Sequence, residues 1–491
     1  MTESLGPRYA ELVTIAVFLS DLAIRVGLSV RVINRRRPVG VSLAWLTLVL
    51  LVPFAGAALY LLVGENRLGR GRAQRAARVH GPYLDWLKDL DTRAVQQWSA
   101  MGPECEQHSR LCTAVAGIPA LPGNRLELLD DAQTTFRRLI ADIDSAQRSC
   151  HLEFYIWSVG GTADEVAAAL VRAAGRGVRC RVLVDAVGSH EFVGSPLAQR
   201  MLAAGIQVQS ALPVSLLRML FVRIDLRLHR KIVVIDGEIA YTGSQNLVDP
   251  RFFKVHAGVG QWVDAMVRFE GPAVEPLAIT FLEDWELETG EGIEKLSQTG
   301  DVHTVPERGP AVVQVVPSGP AQRVDAIYTI LLTTIYAARH ELVLTTPYFV
   351  PDEPLLTALV AAAARGVQVT IVLPERVDSK LVRLASQAFK GDLLAAGVRI
   401  VMFRHGLLHT KSITVDGQFS LFGSLNLDPR SLWLNFEITL AVYDAEFTAR
   451  LRELQQTYIE QADELTPKAW ANRTIGQRFA DNVARLLSPL L

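Results

Sequence analysis

A short polar motif that occurs twice is the feature that most restricts the fold of this chain. HRKIVVID occupies positions 229–236 and HTKSITVD positions 409–416, with histidine, lysine and aspartate at matching places. The alternation within each copy is typical of a β-strand, so the histidine and the lysine share one face. Each aspartate precedes a glycine, which predicts a turn, and a second β-rich run then leads to Gly-Ser and an asparagine. Each copy therefore predicts a hairpin that brings histidine, lysine, serine and asparagine together.

The repeat extends over much of the chain. HLEFYIW at 151–157 precedes an alanine-rich run and RCRVLVD, and ELVLTTPYFV at 341–350 precedes a similar run and QVTIVLP. This alternation predicts parallel strands with crossover helices, so we expect an α/β fold of mixed sheets flanked by helices. Two homologous lobes packed about a pseudo-twofold axis would bring the motifs face to face. The expected boundaries are 121–290 for the first lobe, 291–310 for a linker, 311–460 for the second lobe and 461–491 for an amphipathic tail.

The amino end predicts a membrane-anchoring helical hairpin at 1–66. Val41–Gly64 has no charge and exceeds the ~20 residues that a helix needs to cross a bilayer. A buried core helix is the alternative, but it would need apolar surroundings on every side. Leu12–Val30 contains Asp21 and Arg25, which lie four residues apart and could pair on one helix face. That stretch is therefore a weak span, a half-inserted helix or one that needs a partner.

The orientation of this hairpin rests on arginines at both flanks. A basic connecting segment at 67–120 follows the second apolar stretch, and its excess of charge favours lobes on the cytoplasmic side under the positive-inside rule. The arginines before that stretch are Arg31, Arg35, Arg36 and Arg37, and those soon after it are Arg67, Arg70, Arg72, Arg75 and Arg78. We therefore expect a multi-pass membrane protein with cytoplasmic lobes.

Composition excludes some classes of function. The formal net charge of −1 removes any overall attraction to polyanions, so a dedicated nucleic-acid binder is disfavoured. The four cysteines lack any CxxC spacing, and buried small hydrophobic residues are a better interpretation than disulfides or metal ligands. They are Cys105, Cys112, Cys150 and Cys180.

Two copies of the same polar set indicate chemistry rather than packing. A single histidine on a strand is most often a satisfied core or surface residue, but lysine is almost never buried without a partner. Ammonium and amide donors that converge from two sides suit a phosphoryl group, whose oxygens carry charge that fixed donors stabilise. One imidazole can attack phosphorus while the other protonates the leaving oxygen. The pattern therefore predicts a phosphohistidine intermediate.

The spacing HxKxxxxD followed by GSxN, present twice, resembles that of the phospholipase D superfamily. With RRRPVGVSLAWL and LVPFAGAALYLLVG at the amino end, the chain is similar over nearly its whole length to the bacterial cardiolipin synthases of that superfamily. The resemblance implies a phosphatidyl-histidine intermediate that forms without a metal or any other cofactor. It also implies that His229 is the nucleophile and His409 the acid and base, an assignment that symmetry alone cannot make.

The other family residues follow position by position. The resemblance assigns the phosphate to Lys231, Lys411, Asn246, Asn426, Ser244 and Ser424, and it places Asp236 and Asp416 with the histidines and lysines in the catalytic set. Because both aspartates stand at strand ends beside glycine, a role in holding the turn is favoured over contact with phosphate.

Each catalytic histidine needs an acceptor on its other ring nitrogen to fix the tautomer. Members of the superfamily place a carboxylate a short distance in sequence after the histidine. Asp264 in QWVDAMV and Glu437 in LNFEITL hold such positions after the first and second motif. A surface salt bridge is the alternative, but both lie on apolar strands, where an unpaired charge is costly. We expect these two carboxylates to orient the histidines.

The membrane parts indicate a lipid substrate. In Pro213–Lys231 apolar residues are interleaved with arginines, as in interfacial segments, although an ordinary basic amphipathic helix has the same composition. Such arginines would attract anionic headgroups. The resemblance implies a synthase that moves a phosphatidyl group from one phosphatidylglycerol to another and releases glycerol. The partners would be phosphatidylglycerol and cardiolipin in a bacterial cell membrane, without nucleic acid, and a homodimer is left open.

Other functions remain open at this point. A phospholipase D hydrolase or a phosphatidylserine synthase would share the motifs and differ in whether water or serine accepts the phosphatidyl group. A non-catalytic scaffold that binds anionic lipids would carry degenerate motifs, and both motifs here are whole. A nuclease would bind DNA in a salt-sensitive way, which the membrane anchor and the net charge disfavour.

Overall fold

The computed structural model describes residues 5–35, 39–65, 86, 88–99, 101–213, 223–292, 301–320, 322 and 325–487. The chain divides into two compact units, one formed by the amino end as far as Arg70 together with 214–225, the other by the remainder. Parts of the predicted connecting segment, of the linker and of the arginine-rich stretch before the first motif lie outside the described residues.

The described residues of the N-terminal unit form three helices, α1 (Leu5–Asn34), α2 (Val39–Leu51) and α3 (Ala55–Val63). Within the described part of the chain, α1 is the one helix long and apolar enough to cross a membrane, over Tyr9–Asn34. Asp21 and Arg25 form an ion pair of 2.6 Å, as their spacing predicts, and pairing reduces the cost of two charges in an apolar helix. The stretch predicted as a weak span is thus one continuous helix.

The prediction that Val41–Gly64 forms a single spanning helix is wrong, because the helix breaks near its middle. α2 ends at Leu51, Pro53 has no N–H to continue the ladder, and Phe54 has a positive φ of 49°. α3 begins directly afterwards with a new direction.

α3 folds back along α2. The rings of Trp45 and Tyr60 lie 5.4 Å apart, whereas in one straight helix they would stand about 22 Å apart along the axis. Gly56 makes the close approach possible, since a Cβ there would collide with the Leu48 carbonyl. The two helices therefore form a short hairpin of their own.

The second unit contains both α/β lobes. The strands of the first lobe are β1 (Leu121–Leu129), β2 (Ser149–Phe154), β3 (Arg179–Asp185), β4 (Gln207–Ala211), β5 (Arg227–Leu228), β6 (Ile232–Ile235), β7 (Ile239–Gly243), β8 (Trp262–Val263) and β9 (Met266–Glu270). The helices over the same part of the chain are α4 (Pro103–Ala116), α5 (Ala132–Ser145), α6 (Thr162–Gly175), α7 (His190–Val193), α8 (Pro196–Ala203) and α9 (Val274–Thr289). β2, β3 and β4 are parallel, and β6 and β7 form the predicted hairpin.

The second lobe repeats this order. Its strands are β10 (Ala311–Ser318), β11 (Glu341–Thr345), β12 (Gln368–Pro374), β13 (Arg399–Phe403), β14 (Leu407–Leu408), β15 (Ser412–Val415), β16 (Phe419–Gly423) and β17 (Asn435–Tyr443). Its helices are α10 (Ala326–Ala337), α11 (Glu353–Ala364), α12 (Lys380–Ala395), α13 (Pro429–Trp433) and α14 (Ala445–Glu460). β11, β12 and β13 are parallel, and β15 and β16 form the second hairpin.

One sheet runs through both lobes. β1 and β10 pair antiparallel at its centre. Outward from this pair the order is β9, β7, β6, β2, β3, β4 on one side and β17, β16, β15, β11, β12, β13 on the other. The shared order confirms two homologous α/β lobes. Each lobe buries its own apolar cluster between the sheet and its helices, and all four cysteines are buried and free, as predicted.

The carboxy-terminal tail packs on the second lobe. β18 (Ala462–Glu464) adds to the sheet beside β13, and α15 (Pro467–Ala471) and α16 (Ile475–Leu487) follow. α16 lies against α12 and buries Ala484 in the apolar cluster of that lobe. Its opposite face exposes three apolar residues, Ile475, Phe479 and Val483.

Candidate active site

Both histidine motifs lie at the edge of the sheet where the parallel strands end. β6 and β15 run antiparallel to β2 and β11, so each begins at the carboxyl end of its neighbour. His229 and Lys231 come just before β6, and His409 and Lys411 just before β15. The polar residues thus precede the strands, whereas the alternation predicted them inside, and the apolar residues after each lysine form the strand itself.

Short strands tie each histidine to the opposite lobe. β5 pairs with the start of β17, and the His229 N–H donates to the Phe436 carbonyl at 2.9 Å. In the same way β14 pairs with β8, and the His409 N–H donates to the Val263 carbonyl at 2.8 Å. Each histidine therefore stands beside the backbone of the lobe that does not carry it.

Both predicted carboxylates meet a histidine, but each serves the other lobe. His229 Nδ1 lies 2.8 Å from Glu437 Oε2, and His409 Nδ1 lies 2.6 Å from Asp264 Oδ1. The order in sequence would have paired Asp264 with His229 and Glu437 with His409. The exchange follows from the crossed strands, which carry each histidine into the neighbouring lobe.

The charges of these pairs follow from their burial. Burial lowers the pKa of His229 and of His409 to about 4, although the nearby carboxylates oppose this, so both rings are neutral at pH 7. Burial alone would raise the carboxyl values, but the histidines lower the pKa of Asp264 to about 2 and that of Glu437 below its ordinary value. An ionised carboxylate only accepts, so each Nδ1–H donates and each Nε2 keeps its lone pair.

The motif serines hold the carboxylates. Ser244 Oγ donates to Asp264 Oδ1 at 2.6 Å, and Ser424 Oγ donates to Glu437 Oε2 at 2.5 Å. The hydroxyl protons are thus engaged by the carboxylates beside the histidines, and contact of these serines with phosphate stays a prediction.

Both motif lysines are buried beside the histidines. Each Nζ donates to the carbonyl of the histidine two residues earlier at 2.6 Å. Burial lowers the pKa of Lys231 to about 8 and that of Lys411 well below its ordinary value. Each ammonium also lowers the pKa of the histidine in the other lobe, namely His409 for Lys231 and His229 for Lys411. The two motifs therefore lie close enough for the charge of each to affect the other.

The motif asparagines have unused polar atoms. Asn246 Oδ1 accepts from the Ile156 N–H at 3.1 Å, while its Nδ2 is buried without a hydrogen-bond partner. Asn426 likewise has a buried amide atom, Oδ1, without a partner, and amide oxygen and nitrogen are interchangeable in placement. A buried amide atom without a protein partner can hydrogen-bond a ligand that enters the site.

The motif aspartates lie at the far end of their hairpins. Asp236 accepts from the backbone N–H groups of 147, 148 and 149 at 2.7–2.9 Å, and Asp416 accepts from those of 339, 340 and 341 at 2.7–2.8 Å. Both have positive φ, at 55° and 52°, as the turn before glycine requires. Their place in the catalytic set is therefore corrected, and the turn-holding role stands.

Aromatic rings beside the histidines were missed in the sequence. The ring of Tyr155 lies 5.0 Å from that of His229, and Trp262 lies 4.3 Å from His409. The only signal was their place, since Tyr155 follows β2 and Trp262 precedes Asp264 by two residues. These rings cover the imidazoles and help to keep them neutral.

Arg230 departs from the predicted interfacial segment, of which residues 214–222 lie outside the described chain. Its side chain is buried and paired with Asp284. It also donates to the carbonyls of Glu437 at 3.0 Å and Ser318 at 3.2 Å. Arg230 therefore links the lobes and does not face a membrane.

The arrangement can transfer a phosphoryl group. Two free imidazole nitrogens supply a nucleophile and an acid, while lysine and asparagine donors suit an anion. Among the residues that the structure describes, no group of three or more His, Cys, Asp or Glu could hold a metal ion.

Comparison with known proteins agrees with this geometry. The family model "Cardiolipin synthase, PLD-like domain" matches residues 139–263 and 331–458, and "Phospholipase_D-nuclease N-terminal" matches 23–65. "Cardiolipin synthase A" of Erwinia tasmaniensis is 46% identical over 95% of this chain and 96% of that protein. The protein of the same name from Salmonella arizonae is 46% identical over 97% and 98%.

A solved structure shares the fold. Phosphatidylserine synthase from Haemophilus influenzae Rd KW20 covers 78% of this chain and 100% of its own, with a TM-score of 0.57 and 14% identity. By its duplicated site and its two domain matches, the chain belongs to the cardiolipin synthase family of phospholipase D-like proteins.

Proposed function

We propose that this protein is a cardiolipin synthase, which transfers the phosphatidyl group of one phosphatidylglycerol to another and releases glycerol. The observation that carries the proposal is the crossed pair of histidines, His229 with Glu437 and His409 with Asp264. It supports two imidazoles that are oriented alike, from two lobes inferred to be related by a pseudo-twofold axis, and that share one phosphodiester. The relatives named above support the choice of lipid.

In the first step His229 Nε2 attacks phosphorus and the bond to glycerol breaks. The glycerol oxygen takes a proton from His409 Nε2, which must be protonated at this moment. A bound phosphodiester anion favours that state, because a second negative charge beside the ring raises the pKa of His409. Glu437 stabilises the positive charge that develops on the phosphorylated imidazole.

In the second step the roles of His409 reverse. A hydroxyl of the second phosphatidylglycerol gives its proton to His409 Nε2 and attacks phosphorus, and the bond to His229 breaks. His229 returns neutral and His409 returns protonated, so atoms and charge balance. Lys231, Lys411 and the free amide of Asn246 would hold the phosphate oxygens throughout.

The test is incubation of the purified full-length protein with phosphatidylglycerol alone, with lipids and glycerol measured by mass. We expect cardiolipin and glycerol, and no product from His229→Ala or His409→Ala protein that remains folded. Phosphatidic acid as the only product would make the protein a hydrolase. Phosphatidylserine formed after serine is added would make it a phosphatidylserine synthase, in which serine accepts the phosphatidyl group. Full activity in either histidine variant would contradict the mechanism.

We also infer that the chain crosses the membrane once, through α1, with the hairpin of α2 and α3 entering and leaving on one side. Glu65, just after α3, accepts two hydrogen bonds of 2.7 Å from Arg31 and one of 2.8 Å from Tyr60, which supports a return of the chain to the end of α1. Arg25 bonds to the Leu50 carbonyl, so the break between α2 and α3 stands partway along α1.

This topology accounts for arginines at both flanks. With a re-entrant hairpin, the chain after α3 continues on the side where Arg31 and Arg35 stand at the end of α1, and the positive-inside rule makes that side cytoplasmic. We propose the same side for the lobes. The expected partners are phosphatidylglycerol and cardiolipin, without nucleic acid. A homodimer is not required, since one chain supplies both motifs.

The topology is tested by cysteine labelling in intact cells. A membrane-impermeant maleimide should label Thr2→Cys from outside, and Leu491→Cys only after permeabilisation. The four native cysteines are buried, which keeps the background low. Two spans with a cytoplasmic body would leave both sites unlabelled in intact cells.

A further inference from the structure

An exposed apolar loop stands at the edge of the active site. It connects β7 with β8 and includes RFFKVHAG at 251–258. Phe252 is 68% exposed and Val255 is 57% exposed, although both are large apolar residues. Large apolar side chains are more often buried. The neighbouring Phe253 does pack inward, against a small apolar cluster.

The loop is attached to the catalytic groups. The ring of Phe253 lies 5.1 Å from that of Trp262, which itself lies 4.3 Å from His409. Lys254 Nζ stands over both rings, 5.6 Å from Phe253 and 5.5 Å from Trp262, and pairs with Asp378 of the second lobe at 3.0 Å. The loop is therefore held in place beside the acid and base of the proposed reaction.

The backbone of the loop is strained at its tip. Lys254 has φ of 49° and ψ of 32°, the left-handed region that side chains other than glycine rarely adopt. Strain that the surroundings hold in place beside a catalytic group is a recognised basis for a hypothesis of function. Here the bend separates Phe253, which packs inward, from Phe252 and Val255, which face out.

We propose that Phe252 and Val255 insert into the lipid bilayer and hold the His409 side of the cleft at headgroup level. The inference rests on the proposed function, since a phosphatidyl donor and acceptor both reside in a bilayer. The loop also carries two cations at the surface: Arg251 pairs with Asp249 and Lys254 with Asp378, and their side chains stay 47% and 46% exposed, within reach of anionic headgroups. An aromatic ring beside cations at a membrane surface is the usual interfacial composition.

A lipid surface fits this loop better than a protein does. A stable protein interface buries roughly 800 Å² on each partner, far more than two side chains provide. Insertion into lipid needs only a small apolar area that leaves water, together with nearby cations that are attracted to anionic headgroups. Leu381 and Leu384 at the start of α12, which follow Asp378 by three and six residues, are also exposed, at 42% and 36%.

The test compares two substrates in the full-length protein. We expect Phe252→Ser with Val255→Ser to lower the rate on long-chain phosphatidylglycerol in vesicles by about tenfold or more, from the lost apolar insertion. The rate on short-chain phosphatidylglycerol, dispersed as monomers and offered to protein in nanodiscs, should stay within about twofold, since the site itself is untouched.

The matched control replaces two other exposed large residues, which lie at the opposite edge of the sheet. Leu202 is 52% exposed and precedes β4, and Tyr336 is 47% exposed and precedes β11. Leu202→Ser with Tyr336→Ser should behave as the unmodified protein on both substrates.

A second measurement reports insertion directly. A bimane label on Val255→Cys should be quenched by phosphatidylglycerol with brominated acyl chains, and a label on Leu202→Cys should not. Absence of quenching at position 255, or an equal loss of rate on both substrates, would overturn the inference. Failure of the unmodified protein to form cardiolipin from either substrate would instead overturn the proposed function, while quenching at 255 would still support insertion.

Discussion

Two carboxylates of the active site, Glu437 and Asp264, serve histidines with different tasks, so their loss should have different consequences. Glu437→Gln removes the charge that stabilises phosphorylated His229, and Asp264→Asn removes the one that lets His409 hold a proton. We expect each to slow cardiolipin synthesis by about 10²–10⁴-fold.

A substrate with an acidic leaving alcohol separates the two. Phosphatidyl-p-nitrophenol needs no proton on its leaving oxygen, so Asp264→Asn should release nitrophenol almost as fast as the unmodified enzyme. Glu437→Gln should stay slow in the same burst measurement. The reverse pattern would show that His409 is the nucleophile and exchange the two assignments.

Buried neutral histidines should also make stability depend on pH. His108 bonds to Tyr443 at 2.9 Å and to Thr334 at 2.8 Å, and burial lowers its pKa to about 4, as it does for His229 and His409. The unfolded chain takes up these protons near the ordinary value of 6.5, and the folded one near 4. The free energy of unfolding should therefore fall as pH falls from 6.5 to 4.

His108→Gln is the variant that isolates this effect, because glutamine can keep both hydrogen bonds and does not titrate. Between pH 6.5 and 4 it should take up about one fewer proton on unfolding than the unmodified protein, measured from the slope of stability against pH. Its activity at pH 7 should be unchanged. An identical slope in both proteins would mean that His108 is already protonated when folded.

Sequence alone identified the residues of the site better than their partnerships. Histidine, lysine and asparagine could be read from the doubled motif, and both carboxylates from their place on apolar strands. The pairing of Glu437 and Asp264 with the histidine of the other lobe could not be read from the sequence, since it depends on how the two lobes dock. For the same reason nothing local distinguished serines that hold carboxylates from serines that would bind phosphate, and Tyr155 and Trp262 carried no pattern.

Among the elements, the link between β5 and β6 has a buried ion pair that its counterpart lacks. Arg230 reaches two carbonyls of the second lobe and pairs with Asp284 on α9. The equivalent residue of the other motif is Thr410, whose hydroxyl bonds to Val263 O at 3.3 Å and to Tyr458 Oη at 3.1 Å. The first histidine is thus positioned by a charge and the second by a hydroxyl.

Arg230→Gln should therefore destabilise the protein by about 3–5 kcal/mol, because Asp284 would be buried without its cation. Arg230→Met with Asp284→Leu should recover most of that stability, yet remain poorly active, since the bonds to the second lobe are still missing. Thr410→Val should cost about 1 kcal/mol. Chemical unfolding measures the stability effect, and the rate of cardiolipin synthesis measures the effect on the site. Full activity in the Arg230→Met, Asp284→Leu variant would contradict a positioning role for Arg230.

Element by element, the sequence predicted the repeated hairpins and crossovers and failed at the apolar stretch near the amino end. Hydropathy adds up side chains, whereas the break at Pro53 arises from a missing backbone N–H, and the fold-back needs Gly56 opposite Leu48. In α1, by contrast, the spacing of Asp21 and Arg25 was enough to predict the ion pair that the structure shows.

At the scale of the whole molecule, the site depends on the alignment of two half-sheets. β1 and β10 join them through two register pairs with an irregularity between. Asn124 fills this gap: its Nδ2 donates to Leu121 O at 2.7 Å and to Ala311 O at 3.1 Å, and its Oδ1 accepts from the Ala273 N–H at 2.8 Å. One buried amide thus connects both lobes at the centre of the sheet.

Asn124→Ala should lower stability by about 2–3 kcal/mol, because it leaves buried backbone groups unpaired. It should lower activity further than its stability loss explains, since a shift at the junction moves each histidine away from the carboxylate of the other lobe. The matched control is Val182→Ala, which leaves a cavity wholly inside the first lobe and should lower the free energy of unfolding by about 1–3 kcal/mol. At a temperature where both variants are folded, only Asn124→Ala should lose cardiolipin synthesis by about tenfold or more, as misplaced catalytic groups do. Equal activity in the two variants would show that the crossed pairs align the lobes without help from the junction.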